Sequence, residues 1–170
     1  MDFDAPVDRK GTHCNKWDNV TSYYDVPADR ALPMWVADTD FRVPEVALQA
    51  MTRMLEHGVL GYGHDSEGYA QAIDWWMRTR HGWSVDPASI FTVTGLCNGI
   101  GLLLDTFTDP GDGVVLMSPV YHAFARVIEA GGRTPVHMVM HETEGRYSFD
   151  TDAMQRLMTG REKILLLCSP

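Results

Sequence analysis

From Ile90 onward the chain repeats an apolar run, a glycine-containing turn and a helical stretch three times, and this rhythm constrains the fold more than any other feature. Alternation of this kind describes parallel βαβ units. The pattern predicts strands over Ile90 to Val93, Val114 to Met117, Val136 to Met140 and Lys163 to Cys168. Helices are predicted over Asn98 to Phe107, Tyr121 to Ala130 and Asp150 to Met158, and Glu144-Gly145 reads as a turn ahead of Tyr147 and Phe149. Right-handed crossovers gather the loops that follow the strands on one sheet edge, where α/β proteins bind ligands. The last run, Ile164-Leu165-Leu166-Leu167, reads as a strand buried on both faces, which calls for further strands and covering helices beside it. The 170 residues are therefore expected to form the front portion of a larger protein, whose last strand offers an exposed edge for aggregation.

Ahead of Ile90 the signals differ. Met1 to Leu32 shows no sustained period and reads as an arm or loop region. The short apolar run Pro33-Met34-Trp35-Val36-Ala37 ends in Asp38-Thr39-Asp40. Pro44 then opens a helix with Ala47, Ala50, Met51, Met54 and Leu55 on one face and Gly58 as its stop. A second helix is predicted from near Asp65-Ser66 to Arg80, with Tyr69, Ile73, Trp76 and Met77 inward, ended by His81-Gly82. Between the two helices, Gly61 and Gly63 flank Tyr62, so a tight turn can present that ring as a contact residue.

Charge and cysteine usage narrow the function. A formal net charge of −9 argues against a nucleic-acid binder, which needs clustered Lys and Arg to neutralise phosphates. Cys14, Cys97 and Cys168 are widely spaced and form no Cys-x-x-Cys pair, so reduced thiols in a cytoplasmic protein are expected. The acidic start Met1-Asp2-Phe3-Asp4 is unlike a secretory signal, and no apolar stretch reaches membrane-spanning length.

Two sites carry chemistry. Thr94-Gly95-Leu96-Cys97-Asn98 lies between a predicted strand and a predicted helix, where backbone N–H groups can converge on an anion; a glycine needed merely to turn the chain is the alternative. Neither the Walker nor the Gly-x-Gly-x-x-Gly pattern is present. After the next strand, Ser118-Pro119-Val120-Tyr121 places an aromatic ring at the ligand edge, able to stack on a flat heterocycle or to bury itself in the helix–sheet seam.

In their order, Arg9-Lys10-Gly11-Thr12, Lys16-Trp17-Asp18, Trp35-Val36-Ala37-Asp38-Thr39-Asp40-Phe41, Gly61-Tyr62, Arg80-His81-Gly82-Trp83, Pro110-Gly111-Asp112, Pro119-Val120-Tyr121 and Leu167-Cys168-Ser169-Pro170 cover nearly the whole chain. This set resembles the MalY/PatB, cystathionine β-lyase-like branch of the pyridoxal-phosphate enzymes of aminotransferase fold type I. The resemblance implies an α/β fold: a mixed, mainly parallel sheet with helices on both faces, plus an N-terminal arm. Residues 1–45 would form the arm and a small-domain segment, and 46–170 the first part of the large cofactor-binding domain. It implies that Gly95, Leu96 and Cys97 form the phosphate cup, that Tyr121 stacks on the pyridine ring, and that Tyr62 reaches the phosphate of a neighbouring subunit in a homodimer. Ala37, through its backbone N–H, would help position the carboxylate of an amino-acid substrate.

Cys14, Thr39 and Cys97-Asn98 depart from the branch's usual residues, and Cys97 still permits a backbone contact. The Schiff-base lysine expected of the family lies beyond this stretch, because Lys10, Lys16 and Lys163 do not match its position and read as solvated charges. No catalytic residue is therefore assigned within the chain. The 170 residues alone are expected to be inactive, whereas the complete enzyme is expected to cleave cystathionine or related cysteine thioethers to a thiol, pyruvate and ammonia. An aminotransferase activity or a non-catalytic role in binding a transcription regulator, through Trp17, Tyr23 and Tyr24, are the alternatives. Two further readings rest on motif alone: a phosphatase using Asp38-x-Asp40, and a zinc site using His137 and His141.

Overall fold

The structure, a computed structural model, describes residues 2–63 and 67–169. The chain divides into two compact units, Met1–Glu67 and Gly68–Pro170.

In the first unit, the arm carries two short helices that the sequence pattern did not reveal, α1 (Asn15–Asp18) and α2 (Val20–Tyr24). They are too short to show a period. Asp18 stabilises α1 by accepting from the backbone N–H of Gly11 at 2.7 Å and of Cys14 at 2.9 Å, beside the otherwise unpaired amides of the first turn. Helix α3 (Glu45–His57) starts after Pro44 and ends at Gly58, whose φ of 76° is the left-handed conformation that glycine adopts without steric cost. Both ends agree with the sequence pattern.

The second unit is built around one strand. Strand β1 (Gly113–Ser118) lies at the centre of a parallel three-stranded sheet, paired on one side with β2 (Thr134–Val139) and on the other with β5 (Glu162–Leu166). Helix α5 (Leu96–Phe107) precedes β1, and α6 (Ala123–Ala130) makes the crossover to β2. Leu104 of α5, Phe124 and Ile128 of α6, and the alternate β1 residues Val114 and Leu116 form the buried core. Strands β3 (His141–Thr143) and β4 (Arg146–Ser148) form a hairpin closed by Glu144 and Gly145 at φ 53° and 76°, and α7 (Thr151–Leu157) leads on to β5.

Several expectations are corrected. Residues 90–93 belong to neither sheet, because no described strand lies beside them to supply the ladder bonds; Phe91 is left exposed. Strand β5 is not buried on both faces: it is an edge strand whose exposure alternates, with Leu165 exposed. Strand β2 stops at Val139, short of Met140. Tyr121 precedes α6 and is not part of it. In helix α4 (Glu67–His81), Ile73 and Met77 are half-buried, but Tyr69 and Trp76 are exposed, since no described element covers that side. The predicted start of this helix at Asp65-Ser66 lies outside the described residues, as does Pro170.

A buried arginine fixes the far end of α5. Arg133, just ahead of β2, donates from Nε to Thr108 Oγ1 (2.9 Å), from Nη2 to the carbonyls of Thr108 (2.7 Å) and Leu104 (3.2 Å), and from Nη1 to Asp105 Oδ1 (2.9 Å). The Thr108 carbonyl at the end of the helix gains its partner this way, and the Leu104 carbonyl, which already accepts from the Thr108 N–H and hydroxyl, gains a further one. These bonds also tie α5 to the start of β2.

Candidate functional site

At the head of α5 the backbone is open to a ligand. Gly95 is the N-cap residue and supplies no side chain to the first-turn amides, so the N–H groups of Leu96 and Cys97 have no intrahelical partner and carry the positive end of the helix dipole. The Thr94 hydroxyl is drawn sideways to Asn98 Oδ1 at 3.1 Å. Gly95 has φ 161° and ψ 161°, an extended backbone that any residue adopts, and a Cβ placed on it would meet no described atom within 4 Å. Neither its own conformation nor its described neighbours demand glycine. The open space at Gly95 leaves the first-turn amides accessible to a group able to hydrogen-bond with them.

Tyr121 sits in the loop between β1 and α6, with the Phe124 ring edge-on at 5.4 Å and His122 at 4.9 Å. It is half exposed and not sunk into the helix–sheet seam. On the neighbouring strand, His137 Nδ1 lies 2.7 Å from Ser118 Oγ, so this imidazole is engaged with a hydroxyl at the end of β1. His137 ends within β2 while His141 begins β3, and no group of three metal-ligating side chains forms among the described residues. An apolar groove of about 570 Å³ runs beside α5 between Phe91, Val93, Leu96, Ile100 and Phe107, and it is lined by no titratable group.

The first unit holds Tyr62 and Ala37. The Tyr62 ring is fully exposed in the loop after α3. Ala37 is exposed, and its amide makes no hydrogen bond to a described residue. Around it the backbone is heavily braced. Arg9 donates from Nη2 to Asp38 Oδ2 (2.7 Å) and from Nη1 to Asp38 Oδ1 (3.1 Å), Asp40 Oδ1 (2.7 Å) and the Thr39 carbonyl (3.2 Å). Lys16 Nζ donates to Asp40 Oδ2 (2.8 Å) and the Asp38 carbonyl (3.1 Å), and Trp17 Nε1 to Asp40 Oδ1 (2.9 Å). From the other direction, Trp35 Nε1 donates to the Lys16 carbonyl at 3.2 Å.

The brace overturns one expectation and bears on another. Lys16 is not a solvated charge: it is 6% exposed, and its ammonium is held charged by hydrogen bonds to Asp40 and Asp38, with burial opposing, so its pKa lies above the usual lysine value. A lysine kept protonated is a poor amine nucleophile. The Asp38 and Asp40 carboxyls are both held below the usual carboxylate range, Asp38 first by Arg9, and Asp40 by Lys16, then Trp17 and Arg9. Paired with Lys16, Trp17 and Arg9, Asp40 is held ionised, which does not favour it as the general acid of a phosphatase. Tyr23 and Tyr24 pack edge-on against Trp35 at 5.2 and 5.3 Å, so much of the arm's aromatic surface serves the arm itself. The brace escaped sequence reasoning because the Asp-x-Asp pair and the basic residues of the arm lie 22 to 31 positions apart. An isolated Asp-x-Asp pair after an irregular arm that carries Arg9, Lys10, Lys16 and Arg30 was the available signal.

Unpaired helix-terminal donors at the head of α5 and an aromatic ring after the central strand of a parallel sheet lie in a protein of the α/β class. The chain belongs to the aminotransferase class I and II family, whose sequence description it matches over residues 36–170. It is 37% identical over 171 residues to cystathionine beta-lyase PatB of Bacillus subtilis and 31% identical over 172 residues to protein MalY of Escherichia coli, and each match covers 100% of the chain and 44% of the relative. The chain thus spans less than half the length of these curated relatives. The crystal structure of cystalysin from Treponema denticola, which contains a pyridoxal 5'-phosphate cofactor, superposes with a TM-score of 0.90 at 30% identity, covering 99% of the chain and 43% of cystalysin. The fold is therefore that of the fold type I enzymes. Among the described residues, no helix is long and apolar enough to cross a membrane.

Proposed function

We propose that the complete protein is a pyridoxal-phosphate-dependent carbon–sulfur β-lyase acting on cystathionine or a related cysteine thioether. The observation that carries the cofactor assignment is the glycine-led head of α5, where open space at Gly95 leaves the first-turn amides accessible. The Leu96 and Cys97 amides, with Gly95 leaving room, would hold the phosphate, and Tyr121 would lie against the pyridine ring. Tyr62 would reach the phosphate of a partner subunit in a homodimer, in keeping with its full exposure. The division into an arm with a small-domain segment, 1–45, and a large-domain part, 46–170, belongs to the same reading. When bound, the cofactor supplies an electron sink that makes the proton on the substrate's α-carbon removable and the β-sulfur a leaving group.

This chain's own residues bind and orient. The Ala37 amide N–H would donate a hydrogen bond to the substrate carboxylate. The amides of α5 resist displacement of the phosphate, because helix and sheet are joined through Arg133 at the opposite end. Identity to PatB along the entire chain favours the lyase over the aminotransferase reading. The test is to supply the complete protein with L-cystathionine and measure pyruvate, ammonia and free thiol against 2-oxo-acid-dependent amino transfer. Equimolar pyruvate and thiol without an added 2-oxo acid is the expected result. Products that appear only with an acceptor 2-oxo acid would replace lyase by aminotransferase.

A further inference from the structure

The brace around Ala37 is more elaborate than an exposed loop requires. Eight hydrogen bonds join residues 35–40 to the arm: four from Arg9, two from Lys16, one from Trp17 and one from Trp35. They hold the segment on both sides of Ala37 through side chains and carbonyls, so the Ala37 amide, like its neighbours from 35 to 40, keeps its N–H without a described partner. The charges also balance, with two cations against two carboxylates at contacts of 2.7 to 3.4 Å. Without that balance, Asp38 and Asp40 would place two negative charges next to the amide and repel an incoming carboxylate.

We infer that Arg9 and Lys16, acting through Asp38 and Asp40, are positioning residues that fix and electrically neutralise the frame in which the Ala37 amide receives the carboxylate of an amino-acid substrate. This rests on the reading of Ala37 as a carboxylate donor. The cations do not touch the substrate. They hold the donor's direction, and because each is already paired, recognition falls to a neutral N–H whose geometry is set in advance.

The test uses the complete protein and two ligands, a non-reactive amino acid and the corresponding amine lacking the carboxylate. Arg9→Gln is expected to weaken the amino acid about tenfold, the loss of roughly one oriented hydrogen bond, and to leave the amine unchanged. Arg9→Lys, which keeps the charge, is expected to recover part of that loss. In the cofactor-free protein, amide hydrogen exchange in a peptide spanning residues 14–25, whose hydrogen-bonded α1 and α2 amides carry Lys16 and Trp17 of the brace, should quicken in Arg9→Gln while peptides from β1 stay protected. Equal weakening of both ligands, or exchange that quickens throughout, would mean general damage and overturn the inference; so would unchanged binding of the amino acid. Ala37→Pro, which deletes the N–H, separates the two readings. If it selectively weakens the amino acid and Arg9→Gln does not, the positioning role falls and the donor stands. If it weakens neither ligand selectively, the donor reading falls, and the positioning role falls with it.

Discussion

Replacing Gly95 by alanine separates a glycine kept for the chain from one kept for a ligand. The backbone there is extended and a Cβ meets nothing described within 4 Å, so the substitution introduces no clash and no forbidden angle. Two small terms act on stability. Alanine restricts the unfolded chain, a gain of about 0.4–1 kcal/mol. Alanine is also a poorer N-cap than glycine, a loss of roughly 0.5–1 kcal/mol. They offset, leaving stability within about 1 kcal/mol of the parent and the melting temperature of the complete protein within about 4 °C. The cofactor should respond quite differently. A methyl group where a phosphate oxygen approaches displaces at least one charge-assisted hydrogen bond, about 1.5–3 kcal/mol, which corresponds to roughly 10- to 150-fold weaker binding. Titrating the cofactor-free Gly95→Ala protein with pyridoxal phosphate, alongside a thermal melt, reads both quantities. Unchanged affinity would refute the assignment of the α5 head to the phosphate. A melting temperature lowered by more than about 4 °C would show that the glycine is structural after all.

Other outcomes follow from the packing and the charges. At Gly113 an added Cβ would lie 2.9 Å from Glu162 Cγ and 3.3 Å from its Cα, which is backbone and cannot swing aside, so Gly113→Ala should cost about 1–3 kcal/mol in a denaturant titration. Arg133→Met should cost about 1.5–3 kcal/mol by the same measurement. Asp105→Ala should cost less than about 1 kcal/mol, because that carboxylate is 73% exposed and most of the arginine's bonds go to other groups. The brace in the arm should also show a defined pH window. The depressed carboxyls of Asp38 and Asp40 make their contribution fully above the unfolded value near ~4 and lose it as the pH falls toward their lower folded values. The raised Lys16 contributes fully below about 10.4 and loses its share only as the pH rises further. Fluorescence of Trp17 and Trp35 should therefore stay flat between about pH 5 and 10 and change below about 4, and Asp40→Asn should abolish much of the acid transition.

The sheet was legible because its signals are local and periodic. Val114, Val115 and Leu116 form a continuous apolar run that is buried in β1, and the Glu144-Gly145 turn and the Gly58 helix stop follow from backbone preferences of single residues. The head of α5 was legible for the same reason, a glycine between an extended run and a helix. Pairing was harder to read. Ile90 to Val93 has strand composition, yet a strand exists only where a partner strand is aligned beside it, and no residue in that segment encodes which partner that is. Long-range ion pairs were hidden for a related reason. Lys16 looks like any surface lysine until the fold brings Asp38 and Asp40 to it, and Arg133 looks like a polar loop residue until the end of α5 closes over its guanidinium.

That guanidinium sits at the opposite pole of α5 from Gly95. It bolts the tail of the helix to the entrance of a strand, so helix and sheet are fastened together some ten residues from the open end. Loosening this bolt is expected to weaken the proposed hold on a phosphate without altering a residue that would touch it.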